Sequence, residues 1–483
     1  MPLKRDLLLI SGGRLAGTLF ALLAIRAVTT FLTPEQYGEF ALLLTVQSFF
    51  GLFLVNPVGQ HINLHTHAWW DDGSLLARLK SYSRYILLVS LISGLVMLSI
   101  VKHNSVQQGM WTAIAMFATV VAGTWNATLI PMLNMLGFRG ASVLWGGITA
   151  VLSLVSAILL VLWLPSATAW FAGQTIGLGI GAIGAKFVLR KNTARSVFFQ
   201  KSLPLIDKKT ILNYCFPLAL ATGLMWLQLS GYRFLVEKYW GLEQLGFLAI
   251  GLQLASNIFA LAESLAMQFL YPLFYRRVTK HENLTEVELA LSDLLNTLLP
   301  LYLVLAGLVM LSAPYLLKIL VAPQFQNAVS FIMLGAGIET CRILGNVFSS
   351  AAHIKRKTNS LVLPYSAGAL LTLSLIFIAG IRHAEINWVG VALLVGAMAM
   401  FLVMAIGMYK QVKFSLDIIR CSVGATVMLS MILLGVWLPK LSGIGESIVM
   451  LILIGLLAGI VVFALLWKNP ATLRLLNVQL RNN

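Results

Sequence analysis

Residues 388–409 read WVGVALLVGAMAMFLVMAIGMY, an unbroken apolar run without one charged side chain. An α-helix of about 20 residues spans the hydrocarbon core of a bilayer. A membrane β-strand needs only about 9–11 residues and alternates apolar with polar positions. This run is too long for such a strand and does not alternate. Lipid offers no hydrogen bonds to the backbone, so a segment buried there must satisfy its own N–H and C=O groups, which a helix does.

The rest of the chain repeats the pattern. Comparable runs fall at 7–32, 38–58, 83–101, 110–133, 141–163, 169–189, 211–234, 245–270, 290–312, 328–352, 361–381, 418–438 and 446–467, making about fourteen crossings with the first. Composition agrees: 59% of the 483 residues are hydrophobic and 11% charged, with mean hydropathy +0.88. A soluble protein carries about 25% charged residues, and so few could not cover the surface of a soluble fold this long. The fold class expected is an all-α polytopic membrane protein. Lys4 and Arg5 precede the first run as in a signal peptide, but the run continues without a cleavage pattern and reads as a retained first helix.

The net charge of +17 does not mark a nucleic-acid partner, because the basic residues are scattered through short loops. About 25 of the lysines and arginines fall in loops on one side, among them Arg78, Lys80, Lys191, Lys208, Arg276, Lys355, Arg356 and Lys468. About 5 fall on the other: Lys102, Lys238, Lys318, Arg382 and Lys440. The positive-inside rule then places both termini in the cytoplasm. Trp111, Trp163, Trp170, Trp240, Trp388, Trp437 and Trp467 stand at helix ends, at the interface that amphipathic rings prefer.

An internal repeat divides the chain. Residues 33–42 read TPEQYGEFAL and residues 241–250 read GLEQLGFLAI. At an offset of 208, Glu35, Gln36, Gly38 and Ala41 match Glu243, Gln244, Gly246 and Ala249. The polar positions that follow also correspond: Thr45 with Gln253, Ser48 with Ser256, Asn56 with Ser264 and Gln60 with Gln268. Arg26 and Arg233 precede the two copies at nearly the same distance. A local capping box at Thr33-Pro34-Glu35-Gln36 would account for one copy, but not for the recurring polar positions. Six helices separate the copies, so the two halves run in parallel, an architecture found in transporters with a site between the lobes. The domains expected are a six-helix lobe over 1–190, a basic cytoplasmic linker over 191–210, a second six-helix lobe over 211–410, and helices thirteen and fourteen with a tail over 411–483.

Polar side chains at bilayer depth are costly and point to function. On the first helix Ser11, Arg14, Thr18, Arg26 and Thr29 form one stripe. Thr222, Trp226, Ser230, Arg233 and Glu237 share a face of the seventh helix, and Gln253, Asn257, Ser264 and Gln268 a face of the eighth. Facing one another across a wet cavity would satisfy these groups. Simpler readings stand beside this one. Arg14 is close enough to a helix end to snorkel. Arg233 has Glu237 one turn on, and Arg342 has Glu339 at i−3, so either arginine could be half of a structural ion pair. Glu263 is the other deep acid.

Nothing in the chain has the pattern of an enzyme or a cofactor site. Residues 179–186, GIGAIGAK, lack the Lys-Ser/Thr ending of a phosphate loop. Gly173, Gly177, Gly181 and Ala185 recur every four residues instead, a small-residue packing face. His61, His65 and His67 lie in an interfacial amphipathic stretch with Trp69, Trp70, Asp71 and Asp72, and no thiolate or second cluster supports a metal. Cys215, Cys341 and Cys421 have no disulfide or zinc spacing and read as small hydrophobes. No cofactor and no metal are expected.

The arginine-bearing first helix, LTPEQYGEFALL at 32–43 and VNPVGQHIN at 55–63 resemble the polysaccharide flippases of the O-antigen type. These belong to the multidrug/oligosaccharidyl-lipid/polysaccharide exporter superfamily. The fourteen helices and the two lobes extend the likeness along the whole chain, while the His-rich segment departs from it. The resemblance implies a protein of the bacterial inner membrane that flips an undecaprenyl-pyrophosphate-linked oligosaccharide to the periplasmic leaflet, for lipopolysaccharide synthesis. It implies a cationic central cavity, for which the matching positions are Arg14, Arg26, Arg233 and Arg342. Gln253 and Asn257 join them as expected substrate contacts, and Glu339 and Glu263 as ion-coupling positions. The expected partners are the lipid-linked oligosaccharide, membrane lipid and other polysaccharide assembly proteins. A cation-coupled drug or metabolite antiporter of the same superfamily is the alternative. A glycan polymerase or ligase would be expected to carry a sizeable catalytic outer loop, and the longest outer loop here is about 15 residues.

Overall fold

The structure is a computed structural model that describes residues 17, 20–100, 105–193, 208–280, 284–355, 358–439, 443–467 and 469–480. Its long helices, in chain order, are α1 (Phe20–Phe31), α2 (Pro34–Asp71), α3 (Leu75–Ile100), α4 (Val106–Met135), α5 (Arg139–Trp163), α6 (Ala167–Thr193), α7 (Lys208–Trp226), α8 (Arg233–Phe269), α9 (Leu284–Leu320), α10 (Val329–Ile354), α11 (Val362–Ile381), α12 (Asn387–Tyr409), α13 (Ile418–Trp437) and α14 (Ile444–Leu466). Short helices at Tyr271–Lys280 and Pro470–Leu480 complete it. No strand occurs among the described residues.

Twelve of the described helical segments are long and apolar enough to cross a membrane. One of them, Ala219–Phe269, is 51 residues long and bends at Gly241, giving two crossings. Phe20–Phe31 is the described part of the first. The chain is thus a multi-pass membrane protein with the fourteen helices that the hydropathy pattern predicts.

Two compact units emerge, Met1–Phe234 and Leu235–Asn483. In the first unit, α5 and α6 pack through the small residues. A Cβ added at Gly173 would stand 2.6 Å from the Ala157 backbone nitrogen. One at Gly177 would stand 2.6 Å from Ser153 Cα. The close approach lets Ser156 Oγ donate to the Gly173 carbonyl at 2.7 Å and Ser153 Oγ to that of Gln174 at 3.1 Å. The glycine-rich stretch is therefore a helix–helix seam and not a phosphate loop.

In the second unit, α13 and α14 pack on α9 through a core of Val304, Leu311, Tyr315, Met431, Ile454 and Ala458. Pro470–Leu480 then docks on the beginning of α9. Asp293, fully buried there, accepts from Arg277 Nη1 at 2.8 Å and from Arg474 Nε at 3.0 Å. Thr297 and Thr472 hydroxyls meet beside them at 3.2 Å.

The second helix differs from its expected bounds of 38–58. It starts at Pro34, where Thr33 and Gln36 form the capping box, and continues unbroken to Asp71. Pro57 lacks the N–H that would hold the turn before it. The chain absorbs this with a π-helical stretch, Phe50–Val55, and resumes an α-helix. The His-rich stretch is thus continuous with this helix rather than a separate segment. There His65 stacks on Trp69 at 5.3 Å, and Arg78 lies over the Trp69 ring at 5.2 Å.

Candidate functional site

The polar face of α7 and the residues after it is built against α2, within the first unit. The π-helical turns of α2 leave carbonyls outside the regular ladder, and at membrane depth these need donors. Thr222 Oγ1 donates to the Leu52 carbonyl at 2.8 Å, and Tyr85 Oη to that of Leu54 at 2.9 Å. One turn above, Trp226 Nε1 lies 3.1 Å from both the Thr45 carbonyl and Ser48 Oγ. Gly223 admits the Phe53 ring, which a Cβ would approach to 2.8 Å. Leu227–Gly231 is itself π-helical, so two irregular helices meet here. π-bulges concentrate at functional sites.

Arg233 follows directly. Its Nη1 donates to the Ala41 carbonyl at 3.2 Å and lies 3.4 Å from Thr45 Oγ1. Its Nε is buried and has no hydrogen-bond partner. Arg233 takes part in none of the ion pairs among the described residues, so the pairing with Glu237 considered from the sequence does not occur. Among the described residues its positive charge, within a membrane-spanning helix, meets only neutral acceptors.

The second unit holds a different arrangement. Arg342 on α10 pairs with Glu339, Nε to Oε2, at 2.6 Å, the i−3 ion pair that the spacing allowed. Its Nη1 also reaches Glu263 Oε2 on α8 at 3.2 Å. Asn346 Nδ2 donates to Glu263 Oε1 at 2.7 Å. Two carboxylates thus share one guanidinium. Tyr302 lies within electrostatic reach of both Glu263 and Arg342. Tyr271, just past the end of α8, hydrogen-bonds Ser350. Burial pushes the Tyr271 phenol up to about 12, so it stays neutral at physiological pH.

Of the other predicted residues, Gln253 Nε2 donates to Asn257 Oδ1 at 2.9 Å, one turn along α8. Arg26 stands on α1, where its carbonyl accepts from Thr29 and Thr30. Arg14 lies outside the described residues. Arg26 and Arg233 therefore belong to the first unit, and Arg342, Glu339, Glu263, Gln253 and Asn257 to the second. Among the described residues no three His, Cys, Asp or Glu side chains converge as a metal site. Tyr85, Asn346 and the Asp293 cluster were not expected from the sequence; Asn346 stands one turn beyond Arg342 on the same face of α10, and that i+4 spacing was the signal that could have found it.

No protein-family model and no curated protein matches the chain. Solved structures do match in fold. The chain is similar to lipid II flippase MurJ in an inward closed conformation, with a TM-score of 0.67 and 14% identity over 96% of this chain and 98% of that one. It is also similar to an inward-facing multidrug resistance MATE family transporter of the MOP superfamily, with a TM-score of 0.57 and 13% identity over 87% and 98%. The eukaryotic MATE transporter AtDTX14 aligns with a TM-score of 0.51 and 14% identity over 89% and 98%. These likenesses show the fold of flippases and transporters along nearly the whole chain.

Proposed function

We propose that the chain flips an undecaprenyl-pyrophosphate-linked oligosaccharide of the O-antigen type from the cytoplasmic to the periplasmic leaflet of a bacterial inner membrane, both its termini being cytoplasmic. One observation carries this reading. Among the described residues Arg233 keeps a buried Nε without a partner and has no carboxylate to neutralise it. A guanidinium in that state suits an anion, whose phosphate oxygens take its N–H groups in pairs. A transporter of cationic drugs would be expected to place a carboxylate there. Arg14, Arg26, Arg342, Gln253 and Asn257 are the further proposed contacts of the sugar-pyrophosphate head, with the polyprenyl tail left in lipid. The proposed lobes are 1–190 and 211–410, joined by 191–210 and followed by 411–483, and alternating access is the proposed motion. With the inside negative, outward movement of an anion is favoured by about 2.3 kcal/mol per charge per 100 mV.

The Glu263–Arg342–Glu339 group supports a coupled cation as well. With both acids ionised it carries one net negative charge, which a proton or sodium ion would neutralise. Glu263 and Glu339 are the proposed coupling positions.

The test is flipping itself. The full chain is reconstituted in vesicles with a fluorescent undecaprenyl-pyrophosphate oligosaccharide, and its exposure to an impermeant quencher is followed. The protein should accelerate translocation, and Arg233→Gln should slow it roughly tenfold or more, the loss of one charge-assisted hydrogen bond. Translocation no faster than in empty vesicles, or unchanged by Arg233→Gln, would sink the reading. Proton-driven loss of a cationic dye from the same vesicles would favour the antiporter.

A further inference from the structure

A second group of cations stands apart from the residues above. The first unit carries a part-open cavity of about 550 Å³ between α3, α4 and α6, bordered by Lys80, Lys186 and Arg190. Lys186 and Arg190 stand one turn apart on α6, and Lys80 joins them from α3. Like charges at i, i+4 repel. None of the three takes part in an ion pair among the described residues.

The sequence explains why. No Asp or Glu occurs between Asp72 and Asp207, a stretch that contains α3, α4, α5 and α6 entire. The helices that build the cavity therefore supply three cations and no carboxylate. The counter-charge has to come from outside the helices that hold them.

The rest of the lining states what kind of anion fits. Leu79 and Leu129 are buried and belong to the apolar core below, and Trp125 adds an aromatic wall. A fully hydrated anion gains nothing from such walls, whereas a phosphate that carries an acyl tail does. The cations lie at the start of α3 and the end of α6, the end of the bundle that the charge count assigns to the cytoplasm. Basic pockets between membrane helices on that side take anionic lipid headgroups.

We propose that this cavity is a binding site for an anionic phospholipid, its phosphate held by Lys80, Lys186 and Arg190 and the first methylenes of its chains against Leu79, Leu129 and Trp125. The site does not depend on what the protein transports.

Trp125 provides the readout. The full chain is reconstituted in phosphatidylcholine vesicles containing either phosphatidylglycerol or phosphatidylcholine with brominated acyl chains. The Trp125 signal is the fluorescence difference between the wild type and Trp125→Phe. Brominated phosphatidylglycerol should quench that signal at a mole fraction roughly tenfold or more below brominated phosphatidylcholine. The triple variant Lys80→Gln, Lys186→Gln, Arg190→Gln should lose this preference. Equal quenching by the two lipids overturns the proposal, as does a preference that survives the triple variant. Displacement of the brominated lipid by inorganic pyrophosphate would identify a soluble-anion site and also overturns it. Should the triple variant fail to insert, the comparison of the two lipids on the wild type decides alone.

Discussion

Arg342 Nη1 lies 3.2 Å from Glu263 Oε2, tying α10 to α8 across 79 residues of chain. The same guanidinium holds Glu339 on its own helix. All three side chains are about a fifth exposed or less.

Arg342→Ala should therefore do more than remove a substrate contact. It leaves two largely buried carboxylates without the guanidinium they share, a loss of about 3–5 kcal/mol for a buried pair. The expected result is a fall in protein abundance and in the thermal midpoint of the detergent-solubilised protein. Adding Glu263→Gln and Glu339→Gln to the same chain should recover most of the midpoint. A single Arg342→Ala variant that melts like the wild type would show the ion pairs to be energetically idle. Because stability and transport change together here, Arg233 is the cleaner position at which to test the cationic path.

The repeat makes its own prediction. Thr33 and Gly241 match at the sequence offset of 208, and both interrupt a helix. The first copy does so with a capped N-terminus, and the second with a glycine at φ 84°, ψ 174°, a region essentially reserved for glycine. A Cβ at Gly241 would touch nothing within 4 Å, so the cost of adding one is conformational alone. Gly241→Ala should destabilise by about 1–3 kcal/mol. Thr33→Ala, which removes a cap, should cost about 1 kcal/mol. A Gly241→Ala protein with an unchanged thermal midpoint would mean that the bend is not needed.

The break at Thr33 was legible because the capping box is a local signal. The helices and their small-residue seam were legible for a similar reason, since apolar length and a four-residue period are local signals. What satisfies each polar face was not. Thr222 and Trp226 read as residues facing water, but they bond the backbone of α2. The Leu52 carbonyl lies in the stretch Phe50–Val55, which leaves the α-helical ladder, and Pro57 is the one local hint of that. That Asn346 bonds Glu263 on another helix was not legible either, although its place one turn beyond Arg342 puts it on the same polar face.

The C-terminal helix should depend on a single carboxylate. Asp293 is completely buried and binds Arg277 and Arg474, whose side chains are 12% and 52% exposed. Asp293→Ala leaves Arg474 unpaired and Arg277 with Glu286 alone, and should cost about 3–5 kcal/mol, with 470–480 becoming open to limited proteolysis. Arg277→Ala should come next, since Arg277 also binds Glu286 at 3.1 Å. Arg474→Ala, at a half-exposed site, should cost about 1 kcal/mol or less. Equal midpoints for all three variants would refute this order.

Two neighbouring glycines separate the two readings of residues 179–186. In a phosphate loop Gly179 would be the first essential glycine, and Gly177 would lie before the motif. In a helix seam the ranking reverses. A Cβ at Gly177 would stand 2.6 Å from Ser153 Cα, and backbone cannot give way as a flexible side chain can. A Cβ at Gly179 would find its nearest neighbour, Ala122 Cβ, at 3.9 Å, an ordinary contact. Gly177→Ala should therefore push α5 and α6 apart and destabilise by about 1–3 kcal/mol, the usual cost of overpacking. Gly179→Ala should be neutral or stabilising by about 0.5–1 kcal/mol, because alanine suits a helix better than glycine. Thermal midpoints of the two variants, measured side by side, give opposite signs if α6 is a packing helix. A damaging Gly179→Ala beside a harmless Gly177→Ala would overturn the seam and return the stretch to consideration as a ligand loop.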